Sequence, residues 1–278
     1  MLHSANDRKG SSDKRKVFIE RSFWRMKIGY VLSGGAARSI AHIGTIKALE
    51  EMGIRPTIIS AVSGGALFGV GIAAGYSPEE TLEKVLKVGT VRWFYPSTKS
   101  GGMFTLSRIE AALREEATMG TFEELKIPMI VTATDIINGV PVYLSEGDLI
   151  TAIIASCSYP AIFEPVYYNG HTLLDGGIVN NFPVEPLEGK CDKIIGMSTG
   201  SGHAIKKITS VQQIMIRTMG LAITEHDKSR FPKADIVIEP RELHGYGMFD
   251  GGKGREIYDI GYKHTKKIQK EIEEVLSL

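Results

Sequence analysis

Runs rich in β-formers alternate with stretches of helical spacing, which predicts an α/β fold around a central, mostly parallel sheet flanked by helices. Three observations carry that prediction. Lys27 to Leu32 is a β-rich run ending in Ser33-Gly34-Gly35. Apolar residues then recur at Ile43, Ile46, Leu49 and Met52, and a second β-branched run follows at Thr57 to Val62. A strand, a helix and a strand in this compass make one βαβ unit, whose right-handed crossover sets the two strands parallel.

The later elements follow in order. Gly53 and Pro56 stop the first helix. A second begins after Gly64 and Gly65, and Ser77-Pro78-Glu79-Glu80 opens a third with an N-cap serine, a proline at N1 and a glutamate at N3. Between Val91 and Gly102 the period is lost and the chain turns aromatic and Gly/Ser-rich, and the composition of residues 91–104 suits either a mobile apolar lid or a loop whose rings fill the core edge. Ile109 to Ala117 reads as helix and Pro128 to Asp135 as a buried strand. Asn138-Gly139 marks a hairpin into Val140 to Leu144. A helix over 148–156 follows, and Asn169-Gly170 turns Val166-Tyr167-Tyr168 into His171 to Leu174, which runs on into Asp175-Gly176-Gly177. Strands at Lys193 to Met197 and Ile236 to Ile238 and one long helix from Glu256 to Val275 complete a single domain without internal repeats.

Composition excludes several classes. Of 278 residues, 43% are apolar and 23% charged, enough to build a large core. The 33 Lys and Arg nearly balance the 32 Asp and Glu, so nothing calls for nucleic acid. Two cysteines, Cys157 and Cys191, make neither a disulfide scaffold nor a zinc site, and a reducing cytoplasm is expected, with no metal or cofactor. No apolar run is long enough to span a bilayer. Residues 1–25 hold seven Lys or Arg against three acids and little apolar surface. They are expected to form a disordered or loosely docked basic tail, either solvated or touching anionic lipid at a membrane periphery, ahead of a domain over 26–278. Met26 is an alternative natural start.

Two loops attract chemistry. Gly34-Gly35-Ala36-Ala37-Arg38 joins a strand to a helix, so free backbone N–H groups and a positive helix end point to one place. No Gly-Lys-Ser/Thr follows, and Ala36 and Ser39 spoil a dinucleotide fingerprint. Ala61-Val62-Ser63-Gly64-Gly65 sets a serine at a strand tip between small residues, as a nucleophile elbow does. Gly34 and Ser63 lie one βαβ unit apart, so both loops fall at the same ends of parallel strands, with a nucleophile beside an oxyanion hole.

These motifs, with Ala41-His42-Ile43-Gly44 after the first loop and with Asn180-Asn181 and Pro183 after Asp175-Gly176-Gly177, resemble the patatin-like phospholipases, the compact bacterial ones in particular. The resemblance runs from Lys27 to Leu187, with a looser echo in Ala234 to Ile238 and the final helix. It implies a three-layer patatin-like fold and hydrolysis of acyl esters of lipids by a Ser–Asp dyad. Ser63 is then the nucleophile, Asp175 the base, and Gly34, Gly35, Ala36, Ala37 and Arg38 the oxyanion hole. Ala61, Gly64 and Gly65 shape the elbow, and Gly176 and Gly177 the base loop. The substrate is a lipid or acyl ester, and the competing readings are a catalytically weak lipid-binding or regulatory relative and a soluble esterase or thioesterase with a Ser-His-Asp triad. The family has glycine where Ala36, Ser39 and Ala61 stand, and an L-residue at positive φ costs roughly 1–2 kcal/mol. Ala36 still provides an N–H, and the oxyanion hole survives if its φ is negative. His42 is expected to pack or cap locally, and no histidine closes a recognisable strand-end loop.

Overall fold

The computed structural model describes residues 26–88, 95–97, 101–116, 118–200, 208–248 and 250–277. The expected basic tail over 1–25 and the aromatic pair Trp93 and Phe94 lie outside the described residues. In chain order the first elements are β1 (Ile28–Leu32), α1 (Ile40–Glu51), β2 (Ile58–Val62), α2 (Gly64–Ala73) and α3 (Pro78–Val88). Two-residue strands β3 (Tyr95–Pro96) and β4 (Phe104–Thr105) precede α4 (Ser107–Glu116), β5 (Met129–Asp135), β6 (Val140–Leu144) and α5 (Leu149–Cys157). There follow β7 (Val166–Tyr168), β8 (His171–Asp175), β9 (Lys193–Met197), α6 (Val211–Arg230), β10 (Ile236–Ile238), α7 (Gly254–Lys267) and α8 (Gln269–Val275).

The main sheet has the order β10-β9-β1-β2-β5-β8-β7, with β6 also on β5. From β10 to β5 every pairing is parallel, while β6, β7 and β8 pair antiparallel. Strand alternation splits the apolar residues between two faces. Ile28, Tyr30 and Leu32 of β1 join the large core under the helices. Val31 faces a smaller cluster with Phe182, Val184, Leu187 and Ile194, which covers the opposite side. Both predicted hairpins form, with Gly139, Asn169 and Gly170 at positive φ. The predicted capping box also forms: Glu80 N–H donates to Ser77 Oγ at 3.2 Å, and Ser77 N–H donates to Glu80 Oε2 at 2.8 Å.

The register of β5 fixes the site. β6 occupies one edge of β5 from Val131 to Asp135, so β2 and β8 must share the other. The β2 pairing ends at Val62↔Thr132, and that of the antiparallel β8 ends at Asp175↔Ala133, the very next rung. Two strands therefore meet tip to tip, and their C-terminal ends bring Ser63 and Asp175 together.

Three expectations need correction. The long C-terminal helix is two helices, because Ile268 leaves helical geometry at φ −99° and ψ 17°. Helix α5 starts and ends one residue later than predicted, with Asp148 as its N-cap accepting from Thr151 N–H at 2.9 Å. Ala36 takes φ +50°, not a negative φ, since the chain must turn there between β1 and the 3₁₀ turn Ala36–Ser39. Ser39 (φ −66°) and the buried strand residue Ala61 carry no such strain. The glycine of the Ala41-His42-Ile43-Gly44 stretch has a packing role: a Cβ on Gly44 would stand 2.0 Å from Tyr258 O, and one on Gly261 of α7 would stand 2.0 Å from Ala41 O. Helices α1 and α7 thus cross backbone to backbone.

Candidate active site

Ser63 sits between β2 and α2 with φ +51° and ψ −128°, a strained conformation that lifts its side chain off the strand tip. Its Oγ donates to Asp175 Oδ2 at 2.6 Å. Two hydrogen bonds hold the elbow: Ser63 N–H donates to Ser156 Oγ at 2.7 Å, and Ser156 Oγ donates to Thr132 O at 2.6 Å. Small neighbours are obligatory, because a Cβ on Gly64 would stand 2.7 Å from Ala36 O, and Gly65 packs as tightly on Leu32 O and Ser33 O.

Asp175 is only 4% exposed. Its Oδ1 accepts from Gly177 N–H at 2.8 Å, its N–H donates to Ser158 O at 2.9 Å, and its carbonyl accepts from Thr134 Oγ1 at 3.0 Å. Burial pushes the carboxyl up to about 6, against the opposing pull of the Ser63 and Gly177 hydrogen bonds. Gly176 lies flat on the Thr132 carbonyl.

The Gly34 to Arg38 loop divides. Among the described residues nothing bonds the N–H groups of Gly34, Gly35 or Ala36, and those of Gly64 and Gly65 at the start of α2 are equally open. Ala37 N–H donates to Met248 O at 3.1 Å and Arg38 N–H to Gly35 O at 3.2 Å, so neither is available to a ligand. Arg38 Nη1 donates to Gly200 O at 2.9 Å, while its Nε is buried without a partner and burial lowers its pKa. Thr199 Oγ1 donates to Gly34 O at 2.8 Å and fixes the loop from the side of β9.

The histidines stand apart. His42 Nε2 is 2.9 Å from Ser33 O, and burial lowers its ring to about 4, so it is a neutral clasp on the first loop. His171 Nδ1 lies 2.7 Å from Asp135 Oδ2. Among the described residues no histidine bonds Ser63 or Asp175; His203 lies outside them.

Sequence reasoning missed three contributors. Ser156 gives no signal beyond a serine near a helix end. Asn181 carries no signal beyond its place in a motif, yet its Oδ1 lies 2.3 Å from where a Cβ on Gly34 would stand and 2.8 Å from where one on Gly177 would, and so wedges the two loops. Its Nδ2 donates to Asp227 Oδ2 at 2.8 Å. Asp227, on α6, is a second buried carboxyl, raised to about 7 chiefly by burial.

An apolar cleft enclosing about 680 Å³, open mouth included, runs between α2, α3, α4 and α5. Its α2 wall is Leu67, Gly71 and Ala74, spaced so that they share one helix face with Ser63. Leu149 on its α5 wall stands seven residues before Ser156, again on one face. Neither Ser63 nor Asp175 lines the cleft, which begins along α2 at Leu67, one turn beyond Ser63.

The family model for patatin-like phospholipases matches residues 30–188, more than half of the chain, and takes in Ser63, Asp175, the Gly34 to Arg38 loop, Ser156 and Asn181 but not Thr199, Gly200, Asp227 or Met248. The chain belongs to the patatin-like phospholipase family. An uncharacterised NTE family protein of Mycobacterium tuberculosis is 33% identical over 181 residues, 64% of this chain and 50% of that protein. A lysophospholipase of Kluyveromyces lactis is 27% identical over 294 residues, 92% of this chain and 20% of that one. The neuropathy target esterase of Drosophila melanogaster is 32% identical over 190 residues, 63% of this chain and 13% of that one. The chain spans about half the length, or less, of these relatives. VipD from Legionella pneumophila aligns over 84% of this chain and 67% of its own, with a TM-score of 0.46 and 14% identity. Among the described residues no helix is long and apolar enough to cross a membrane.

Proposed function

We propose that this patatin-like protein is a serine acyl hydrolase of lipid esters, with Ser63 as nucleophile and Asp175 as its direct base. The reading rests on one observation, the 2.6 Å hydrogen bond from Ser63 Oγ to a buried carboxyl. A serine hydroxyl needs a positioned base. An ordinary carboxylate is too weakly basic to serve near neutral pH, and one raised to about 6 by burial is better matched.

Ser63 Oγ attacks the ester carbonyl carbon as its proton passes to Asp175 Oδ2. The developing oxyanion takes hydrogen bonds from the open N–H groups of Gly34, Gly35 and Gly64 and feels the positive end of α2. The protonated Asp175 then gives its proton to the departing alkoxide, leaving an acyl ester on Ser63. Water, deprotonated by Asp175, attacks that ester, and the proton returns to Ser63 as the fatty acid leaves. Arg38, which has no carboxylate partner among the described residues, adds positive charge to the oxyanion loop. The cleft that continues the Ser63 face of α2 receives the acyl chain.

The names of the relatives, lysophospholipase and esterase, support a single-chain acyl lipid as substrate. The test is turnover of p-nitrophenyl esters and lysophosphatidylcholine by the parent and by Ser63→Ala. Turnover by the parent, lost in a Ser63→Ala protein of unchanged melting temperature, is the expected result. Undiminished turnover in that variant defeats the assignment.

A further inference from the structure

Helix α6 carries an apolar stripe on the wrong side. Val211, Ile214, Met215, Leu221 and Ala222 recur at the spacing that ordinarily marks a buried helix face. Here that face is the exposed one: Val211 is 73% exposed, Ile214 51%, Met215 49% and Leu221 44%, with Ile208 just before the helix at 41%. The stripe is about 16 Å long. Between positions 211 and 224 the only charged residue is Arg217, and there is no carboxylate. Exposed apolar surface of this extent marks a contact face.

The other half of α6 is charged and anchored at the active site. Asp227 accepts from Asn181 Nδ2, the wedge between the oxyanion and base loops. Arg230 Nε donates to Glu185 Oε1 at 2.9 Å, and its Nη2 to Val179 O at 3.3 Å. One rigid helix thus joins an outward apolar stripe to the loops that surround Ser63. We propose that the stripe of α6 docks on a lipid bilayer surface and so sets the mouth of the active site against the membrane that holds its substrate.

The choice of a bilayer over a protein partner rests on the hydrolase reading, because a lipid substrate must reach the loops to which α6 is anchored. It also rests on charge. A stripe without a carboxylate between positions 211 and 224 presents nothing that phosphate headgroups repel, and its long side chains reach past them into the acyl boundary, as in helices that lie in the interface. The competing occupant is a second copy of this chain, joined stripe to stripe.

The experiment compares the parent chain with Ile214→Glu/Leu221→Glu and with the milder Ile214→Gln/Leu221→Gln. Each is sedimented with 100 nm vesicles of phosphatidylcholine alone and with about 30% phosphatidylglycerol, then assayed on lysophosphatidylcholine carried in those vesicles and on p-nitrophenyl butyrate. Both positions are exposed, so the melting temperature stays within about 2 °C of the parent. The parent sediments with vesicles; the Glu variant binds at least about tenfold more weakly and the Gln variant is intermediate, since each lost side chain removes a full apolar contact. Hydrolysis of vesicle lipid falls in step, while butyrate turnover stays within about twofold. A Ser63→Ala protein binds vesicles like the parent, so docking is read even where catalysis is absent. Equal vesicle binding by parent and Glu variant overturns the proposal. So does a parent that ignores vesicles, or one that is a dimer by light scattering and becomes a monomer in the Glu variant. Failure of the hydrolase reading shows itself separately, as a parent inactive on butyrate.

Discussion

Replacing Asp175 with Asn is expected to make the protein more stable and nearly inactive at once. In the folded chain burial raises this carboxyl from its ordinary 3.8 to about 6. Between those values the native state keeps a proton that the unfolded chain releases, so stability falls as pH rises through that window and the full penalty persists above it. The gap corresponds to roughly 3 kcal/mol, an upper bound once solvent relaxation is allowed for. An amide carries no charge at any pH and keeps both polar contacts: its oxygen accepts from Gly177 N–H, and its nitrogen donates to Ser63 Oγ. At pH 8 the Asp175→Asn protein should therefore be about 1–3 kcal/mol more stable than the parent, a gain that shrinks toward zero as pH falls to about 4. Urea unfolding of both proteins at pH 4, 6 and 8 measures this difference. The same substitution should lower kcat on a short ester by at least about a hundredfold, because an amide cannot take the serine proton. Parent kcat/KM should rise about tenfold from pH 5 to pH 7 with a midpoint near 6. An Asn variant no more stable than the parent at pH 8, or one that keeps its turnover, refutes the reasoning.

Ser156→Ala removes the partner of the part-buried Ser63 N–H and the Ser156 hydrogen bond to the Thr132 carbonyl, at a cost of about 1–3 kcal/mol in urea unfolding, and should lower kcat more than it raises KM, because the elbow loosens. Gly44→Val drives a side chain into the Tyr258 carbonyl at the α1–α7 crossing, so its melting temperature should drop by at least about 5 °C, a loss that scanning calorimetry reads directly. Ala74→Leu fills the far end of the cleft; activity on a butyrate ester should persist while that on a laurate ester falls about tenfold, measured as a ratio of kcat/KM values.

Most of the sheet was legible because its strands are short apolar runs punctuated by Gly, Pro and Asn-Gly, and these signals act locally. Ser63 is legible because its small neighbours Gly64 and Gly65 make a short motif at a strand tip, although the carbonyls that demand them, those of Ala36, Ser33 and Leu32, lie one βαβ unit earlier. Asp175 was legible only through its motif, since its partnership with Ser63 depends on β2 and β8 sharing one edge of β5, a register set by three separate strands. The division of the Gly34 to Arg38 loop was hidden for the same reason: Ala37 N–H is taken by Met248, more than two hundred residues away. Ser156 and Asp227 act through one or two side-chain hydrogen bonds made in the folded state and leave no periodic trace. The outward orientation of the α6 stripe was hidden, because its spacing is that of an ordinary buried helix face. Ala36 at φ +50° shows the opposite limit, a place where the turn overrides the residue's own preference.

The central claim is that a carboxylate acts directly on Ser63. It is tested most plainly by the rate and site of fluorophosphonate labelling in the parent and in Asp175→Asn, with the adduct located by peptide mass spectrometry. One adduct, on Ser63, formed at least about a hundredfold more slowly in the Asn variant, is the predicted result. An adduct on another serine, or equal labelling rates in the two proteins, contradicts the account.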